Sequence, residues 1–158
     1  MAEPATTTKH KTDLDAGSFN WEDPLLLNDQ LTEEERLIRE STAAYAQSKL
    51  MPRVLEANRK EHFHPEIMRE MGEMGFIAPE LPEKFGGQGL GCLAAGVIHE
   101  EIARADLSIS YINLLASLNS QILSEHGRPE VVAPWLHKLV AGEALCAIAL
   151  TEPRGGSD

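Results

Sequence analysis

Residues 145–150, Leu-Cys-Ala-Ile-Ala-Leu, hold no proline, glycine or charge, and they give way at once to Thr151-Glu152-Pro153-Arg154-Gly155-Gly156-Ser157-Asp158. Six small apolar residues suit a buried strand, though the end of a helix fits the same length. Pro153 fixes one backbone angle and ends any regular ladder, while Gly155 and Gly156 permit close approach or a positive φ. The turn that follows should face outward with its amides and the hydroxyls of Thr151 and Ser157 sparsely covered. Such a turn can hold an anionic or heteroaromatic ligand. One strand with an open edge does not make a sheet. The tail is therefore expected to be the first strand of a missing β domain, and the chain the front part of a longer protein.

The residues before it read as all-α, with five or six helices. Thr32 and Glu35 have the spacing of a capping box. Leu31, Ile38 and Tyr45 then recur along one face, predicting a helix over 32–49 that Pro52 kinks or interrupts, with a second stretch over 55–59. Pro65 opens a helix with the stripe Ile67, Met71 and Met74, stopped by Gly75. Residues 75–89 contain prolines and glycines throughout and predict an ordered loop buried through Phe76, Ile77, Leu81 and Phe85. A helix over 92–105 should turn Leu93, Val97, Ile98 and Ile102 inward. Asp106 or Ser108 caps the next, whose apolar residues cover more than half its circumference, which predicts a central helix. Pro129 begins the last, kinked at Pro134, with Val132, Trp135, Leu136 and Leu139 toward the core and Gly142 at its end.

The formal net charge of −11 argues against non-specific nucleic-acid binding, which needs clustered Lys and Arg. No run approaches the length of a membrane span, and residues 1–18 read as a polar, disordered leader and not an Arg-rich transit peptide. A cytoplasmic protein is expected. Cys92 and Cys146, each among small apolar residues, are expected as buried free thiols. No metal site is expected: His62 and His64 flank an aromatic with no Cys or third His nearby. Glu100 and Glu101 are adjacent on a helix and point apart, which favours solvated or ion-paired roles over a catalytic pair.

Three segments, in order, resemble the flavin-dependent acyl-CoA dehydrogenases. Gly75-Phe76-Ile77 through Pro82-Glu83-Lys84-Phe85-Gly86-Gly87-Gln88-Gly89 is similar to that family's Pro-Glu and Gly-Gly-x-Gly loop. His99-Glu100-Glu101-Ile102-Ala103-Arg104-Ala105-Asp106 is similar to its Glu-Glu and Arg-x-Asp helix. Residues 148–158 resemble its flavin segment, Thr-Glu-Pro-x-x-Gly-Ser-Asp in type. The front segment 19–27 looks most like the glutaryl-CoA dehydrogenase branch. The resemblance implies an N-terminal helical domain over 19–143 and, over 144–158, the start of the middle β domain. The implied chemistry is FAD-dependent α,β-dehydrogenation of an acyl-CoA thioester, with hydride passing to flavin N5. The acyl-CoA substrate, an electron-transferring flavoprotein as acceptor and a homo-oligomer (dimer or tetramer) are the implied partners, and a eukaryotic source would imply the mitochondrial matrix.

Carried over by position, Ile148, Leu150 and Thr151 would lie against the isoalloxazine, with Thr151 bonding its polar edge. Gly156 would admit the cofactor, and Ser157 would bond flavin phosphate or the pantetheine of CoA. The resemblance places the catalytic carboxylate in a C-terminal bundle, so no catalytic residue is assigned in this segment. In the glutaryl branch a Tyr-Arg-Ser stretch supplies an arginine for the distal carboxylate; here the matching stretch is Tyr111-Ile112-Asn113. Losing that partner should cost about 3–5 kcal/mol, so an apolar acyl group is the expected guest of Ile112, Leu115 and Ala116, with Ser157, Ile112 and Asn113 as the candidate substrate-binding residues. A decarboxylating glutaryl-CoA dehydrogenase, an acyl-CoA oxidase or elimination enzyme, and a non-catalytic helical module that pairs with another chain remain alternatives.

Overall fold

The computed structural model describes residues 19–156; the leader expected at 1–18, and Ser157 and Asp158, lie outside the described residues. The chain divides into two units, residues 1–31 and 32–158. In the first, the Asp23 carboxylate accepts from the Leu27 and Asn28 amides at 2.8 Å each and so starts a 3-10 turn over Leu27–Gln30. The rings of Phe19 and Trp21 meet edge to face at 4.7 Å.

Among the described residues the second unit holds six α-helices: α1 (Glu33–Tyr45), α2 (Met51–Lys60), α3 (Glu66–Glu73), α4 (Cys92–Ala105), α5 (Leu107–His126) and α6 (Pro129–Val140). The all-α expectation holds. Thr32 Oγ1 accepts from the Glu35 amide at 3.2 Å while Glu35 accepts from the Thr32 amide at 2.8 Å, the capping box expected there. Pro52 does not interrupt the chain. It stands at the second position of α2, and the turn before it, Ala46–Leu50, widens to a π-helical turn that joins α1 to α2. Proline lacks the amide that would donate four residues back, and its ring crowds that carbonyl, so a wider turn absorbs the misfit. Beyond α3, Phe76 donates to Met71 O at 2.9 Å and Gly75 to Gly72 O at 3.0 Å, with Gly75 at φ +71°. That double closure is a Schellman stop, which glycine enters without strain.

Leu50, Met71, Ile77, Leu81, Ile98, Ile102 and Leu136 are almost wholly excluded from water. Each such side chain contributes about 1.5–3 kcal/mol. The loop 75–91 belongs to this core, with Phe76, Ile77 and Leu81 buried, as its sequence predicts. α4 packs on α1 and α5, and α5 on α6.

Several expectations need correction. α5 is not the apolar centre of a bundle: its buried face is Ile109, Ser110, Asn113, Ala116, Ser117, Asn119 and Ser120. Its larger apolar residues Leu107, Tyr111, Leu114, Leu118 and Ile122 form an outward stripe instead. The small, polar face lets neighbouring backbone approach closely; Asn113 Nδ2 donates to Phe76 O at 2.7 Å, while its Oδ1 is buried with no hydrogen-bond partner among the described residues. Leu93 and Trp135 also face outward; Trp135 is 55% exposed with Lys138 Nζ 5.1 Å from its ring centre. Cys92 is exposed at the start of α4, while Cys146 is half-buried, donating to Leu115 O at 3.3 Å. The strand expected over 145–150 is not formed among the described residues. The segment is nonetheless strand-like in one respect. Ala144, Cys146 and Ile148 are half-buried while Leu145, Ala147 and Ala149 are exposed, the two-residue alternation of an extended chain with one face covered. A ladder needs a second extended segment alongside, and none is among the described residues.

Candidate functional site

The turn at the tail closes as a short antiparallel bridge: Glu152 donates to Gly155 O at 2.8 Å and Gly155 back to Glu152 O at 3.3 Å. Pro153 and Arg154 form its tip. The bridge brings Thr151 and Gly156 together, for a Cβ built on Gly156 would stand 3.2 Å from Thr151 Cγ2 and 3.4 Å from its hydroxyl oxygen. Thr151, Glu152 and Gly156 are exposed, Ile148 is half-buried, and Leu150 is 70% exposed. The Thr151 side chain and the bare Gly156 backbone thus lie side by side and uncovered, with the exposed Leu150 next in the chain. Ser157 lies outside the described residues.

A second feature is an open groove of about 330 Å³ where α4 and α5 run past the loop, lined by Glu80, Ala95, Gly96, His99, Leu114 and Leu118 among others. Its polar end is fixed. Ser117 Oγ donates to Glu80 Oε2 at 3.0 Å and Gln121 Nε2 to Glu80 Oε1 at 2.9 Å. Burial pushes the His99 imidazole below its ordinary value, an effect the nearby Glu80 carboxylate partly offsets. No arginine or lysine lines this groove. Of the α5 residues singled out in the sequence, Ile112 packs against the core and Asn113 is fully buried, its amide nitrogen committed to Phe76 O.

A larger cavity, about 500 Å³, lies between α2, α3 and the start of α5, and shares no lining residue with the groove. Its Arg53 is already engaged, donating to Glu70 at 2.8 and 3.0 Å; Tyr45 also donates to Glu70 at 3.0 Å. Arg53 holds the Glu70 carboxyl below the usual range, and burial raises the Tyr45 phenol. His62 and His64 stack edge to face at its rim, and among the described residues no cluster could hold a metal ion. Glu101, the second of the paired carboxylates, is buried and bound by Arg39 at 3.0 Å and Arg104 at 2.9 Å, tying α1 to α4. It is ion-paired, as its helical position predicts.

The sequence alone gives no role to Glu80 or Gly96, and His99 only a place in a matching segment. The signals were present but weak: a carboxylate between two prolines in an otherwise apolar loop, and a glycine inside a helical pattern.

The family described as "Acyl-CoA dehydrogenase, N-terminal domain" matches residues 32–143. The mitochondrial isovaleryl-CoA dehydrogenase of Pongo abelii is 33% identical over 132 residues, which is 81% of this chain and 31% of that relative. The acyl-CoA dehydrogenase of Geobacillus kaustophilus superposes with a TM-score of 0.70 at 29% identity, over 81% of this chain and 34% of that one. A glutaryl-CoA dehydrogenase of Mycobacterium smegmatis in complex with FADH2 gives 0.76 at 25%, over 83% and 34%. The chain therefore spans about a third of the length of the relatives it matches. It belongs to the acyl-CoA dehydrogenases, and residues 32–143 are their N-terminal helical domain.

Proposed function

We propose that this chain supplies one wall of the active site of an FAD-dependent acyl-CoA dehydrogenase, which removes hydrogens from the α and β carbons of an acyl-CoA thioester. The observation that carries this reading is the uncovered turn, in which Thr151 lies against Gly156 beside the exposed Leu150. Those residues fit a flat ring with one apolar face and one polar edge. FADH2 is bound in the M. smegmatis relative, which supports a flavin here. When bound, the flavin accepts the hydride from the substrate. Leu150 and Ile148 pack against its ring, and the Thr151 hydroxyl bonds its polar edge. Gly156 leaves room for the turn to approach, and Ser157 bonds phosphate or pantetheine. The base that takes the α-proton lies outside residues 1–158, in the part of the whole protein that corresponds to the rest of its relatives. An electron-transferring flavoprotein takes the electrons, and the working enzyme is a homo-oligomer.

The groove supports an uncharged acyl group over a dicarboxylyl one. A distal carboxylate would meet Glu80 with no cation to pair with, and like charges in a partly desolvated site repel. The test is steady-state turnover of the whole protein with an electron-transferring flavoprotein as acceptor. Isovaleryl-CoA, butyryl-CoA and longer monocarboxylyl thioesters should be oxidised, and glutaryl-CoA should be poor. A colourless protein inert to all of them would favour the non-catalytic module instead.

A further inference from the structure

After α6 the chain leaves the helices, and few bonds hold it to them. The Glu143 and Ala144 amides still donate to Lys138 O, at 2.9 and 3.3 Å. Over residues 145–151, among the described residues, the hydrogen bonds to the helices run through one side chain, Cys146. Its thiol donates to Leu115 O at 3.3 Å and accepts from Asn119 Nδ2 at 3.5 Å. Asn119 is 8% exposed on α5, and the same amide nitrogen donates to Leu115 O at 2.9 Å. One side-chain amide thus divides its two hydrogens between its own helix and the tail. A buried amide is costly when either N–H lacks an acceptor, and the second N–H of Asn119 finds one in Cys146.

That contact bears on register. Side chains of an extended chain alternate in facing, so a slip of one residue turns each of them over. With Cys146 tied to α5, Ala144 and Ile148 are half-buried with it, and Ala147 and Ala149 face away. Thr151 belongs to the second set and is exposed. No ladder fixes this register among the described residues, and the small, exposed Ala147 and Ala149 do little to resist a slip. Resting on the function proposed above, we infer that Cys146 and Asn119 are positioning residues for the flavin turn. Their contact sets the register of residues 147–150, and so the side from which Thr151 and Gly156 meet the ring. Both act through the segment and not by touching the cofactor.

The experiment compares the whole flavin-loaded protein with its Cys146→Ala, Cys146→Ser and Asn119→Leu variants. For each, the flavin dissociation constant, the position of the visible flavin band and the thermal midpoint of the flavin-free form are measured. Cys146→Ala and Asn119→Leu should each weaken flavin binding by about three- to tenfold, the scale of one hydrogen bond, and displace the band. Cys146→Ser keeps a donor and an acceptor and should stay within about twofold of the natural protein. Combining Cys146→Ala with Asn119→Leu should bind flavin no worse than the weaker single variant, because both remove the same contact. If Asn119→Leu does not fold, Cys146→Ala against Cys146→Ser decides the matter, since residue 146 lies outside the helices. Flavin affinity and band unchanged in Cys146→Ala overturn the inference, whatever the thermal midpoint does; the dehydrogenase reading would survive. An equal loss in Cys146→Ser and Cys146→Ala overturns it as well, because side-chain volume and not the hydrogen bond would then hold the segment. If the natural protein binds no flavin, that reading fails and the inference falls with it.

Discussion

Glu101 shows how much one side chain carries in this chain. It sits on α4 with 1% exposure, reached by Arg39 from α1 and by Arg104 one turn along. Replacing it with alanine leaves two guanidiniums facing a void. Breaking one side of such a buried pair costs about 3–5 kcal/mol, and the lower end applies because both arginines can reach water. Glu101→Ala should therefore lower the urea midpoint of unfolding by an amount equivalent to about 3 kcal/mol; a shift below about 1 kcal/mol would show the pair to be no more than a surface bridge. His99 offers a second test. Its folded pKa lies below the ordinary 6.5, so between the two values the unfolded chain binds a proton that the folded chain does not. Stability is then fully present above about pH 6.5 and declines as pH falls through the interval beneath it. His99→Gln should flatten that slope in denaturation curves recorded across the interval. An identical slope in the variant would refute the assignment.

At the scale of elements, the loop 75–91 does what helices usually do: it fills the core and fixes one end of the groove. Its backbone folds back so tightly that a Cβ on Gly87 would overlap the Leu81 carbonyl. Gly87→Ala should cost about 1–3 kcal/mol or more through overpacking, whereas Gly96→Ala should stabilise by about 0.5–1 kcal/mol from helix propensity alone. Paired thermal melts check both signs, and a destabilising Gly96→Ala would mean that the space above α4 is not free. The loop was legible in the sequence because Phe76, Ile77 and Leu81 are too apolar to leave in water among so many breakers. The caps of α1 and α5 were legible for a similar reason, since Thr32, Glu35 and Asp106 act on amides two or three residues away. The facing of α5 was not. Counting apolar residues could not tell that Ser110, Asn113, Ser117 and Ser120 would turn inward, because that choice is made by close approach of neighbouring backbone and by one carbonyl, Phe76 O, far off in sequence. The strand over 145–150 failed for the complementary reason: alternation is local, but a ladder depends on a partner.

Across the whole molecule, the surfaces left without cover in residues 32–156 include the turn at 151–156 and the apolar stripe of α5 beside the α4 groove. Family membership fixes the helical domain; the flavin and the thioester are what would cover these surfaces. On that account, the chain alone should retain little flavin and turn nothing over, since the base and much of the cofactor site lie outside it. The whole protein should purify yellow. The most direct measurement is an anaerobic titration of that protein with butyryl- or isovaleryl-CoA, following the visible flavin band. The account predicts stoichiometric bleaching in the natural protein, and loss of flavin or a displaced band in Thr151→Ala. A protein without the band, or one whose band no acyl-CoA bleaches and Thr151→Ala leaves untouched, would contradict it.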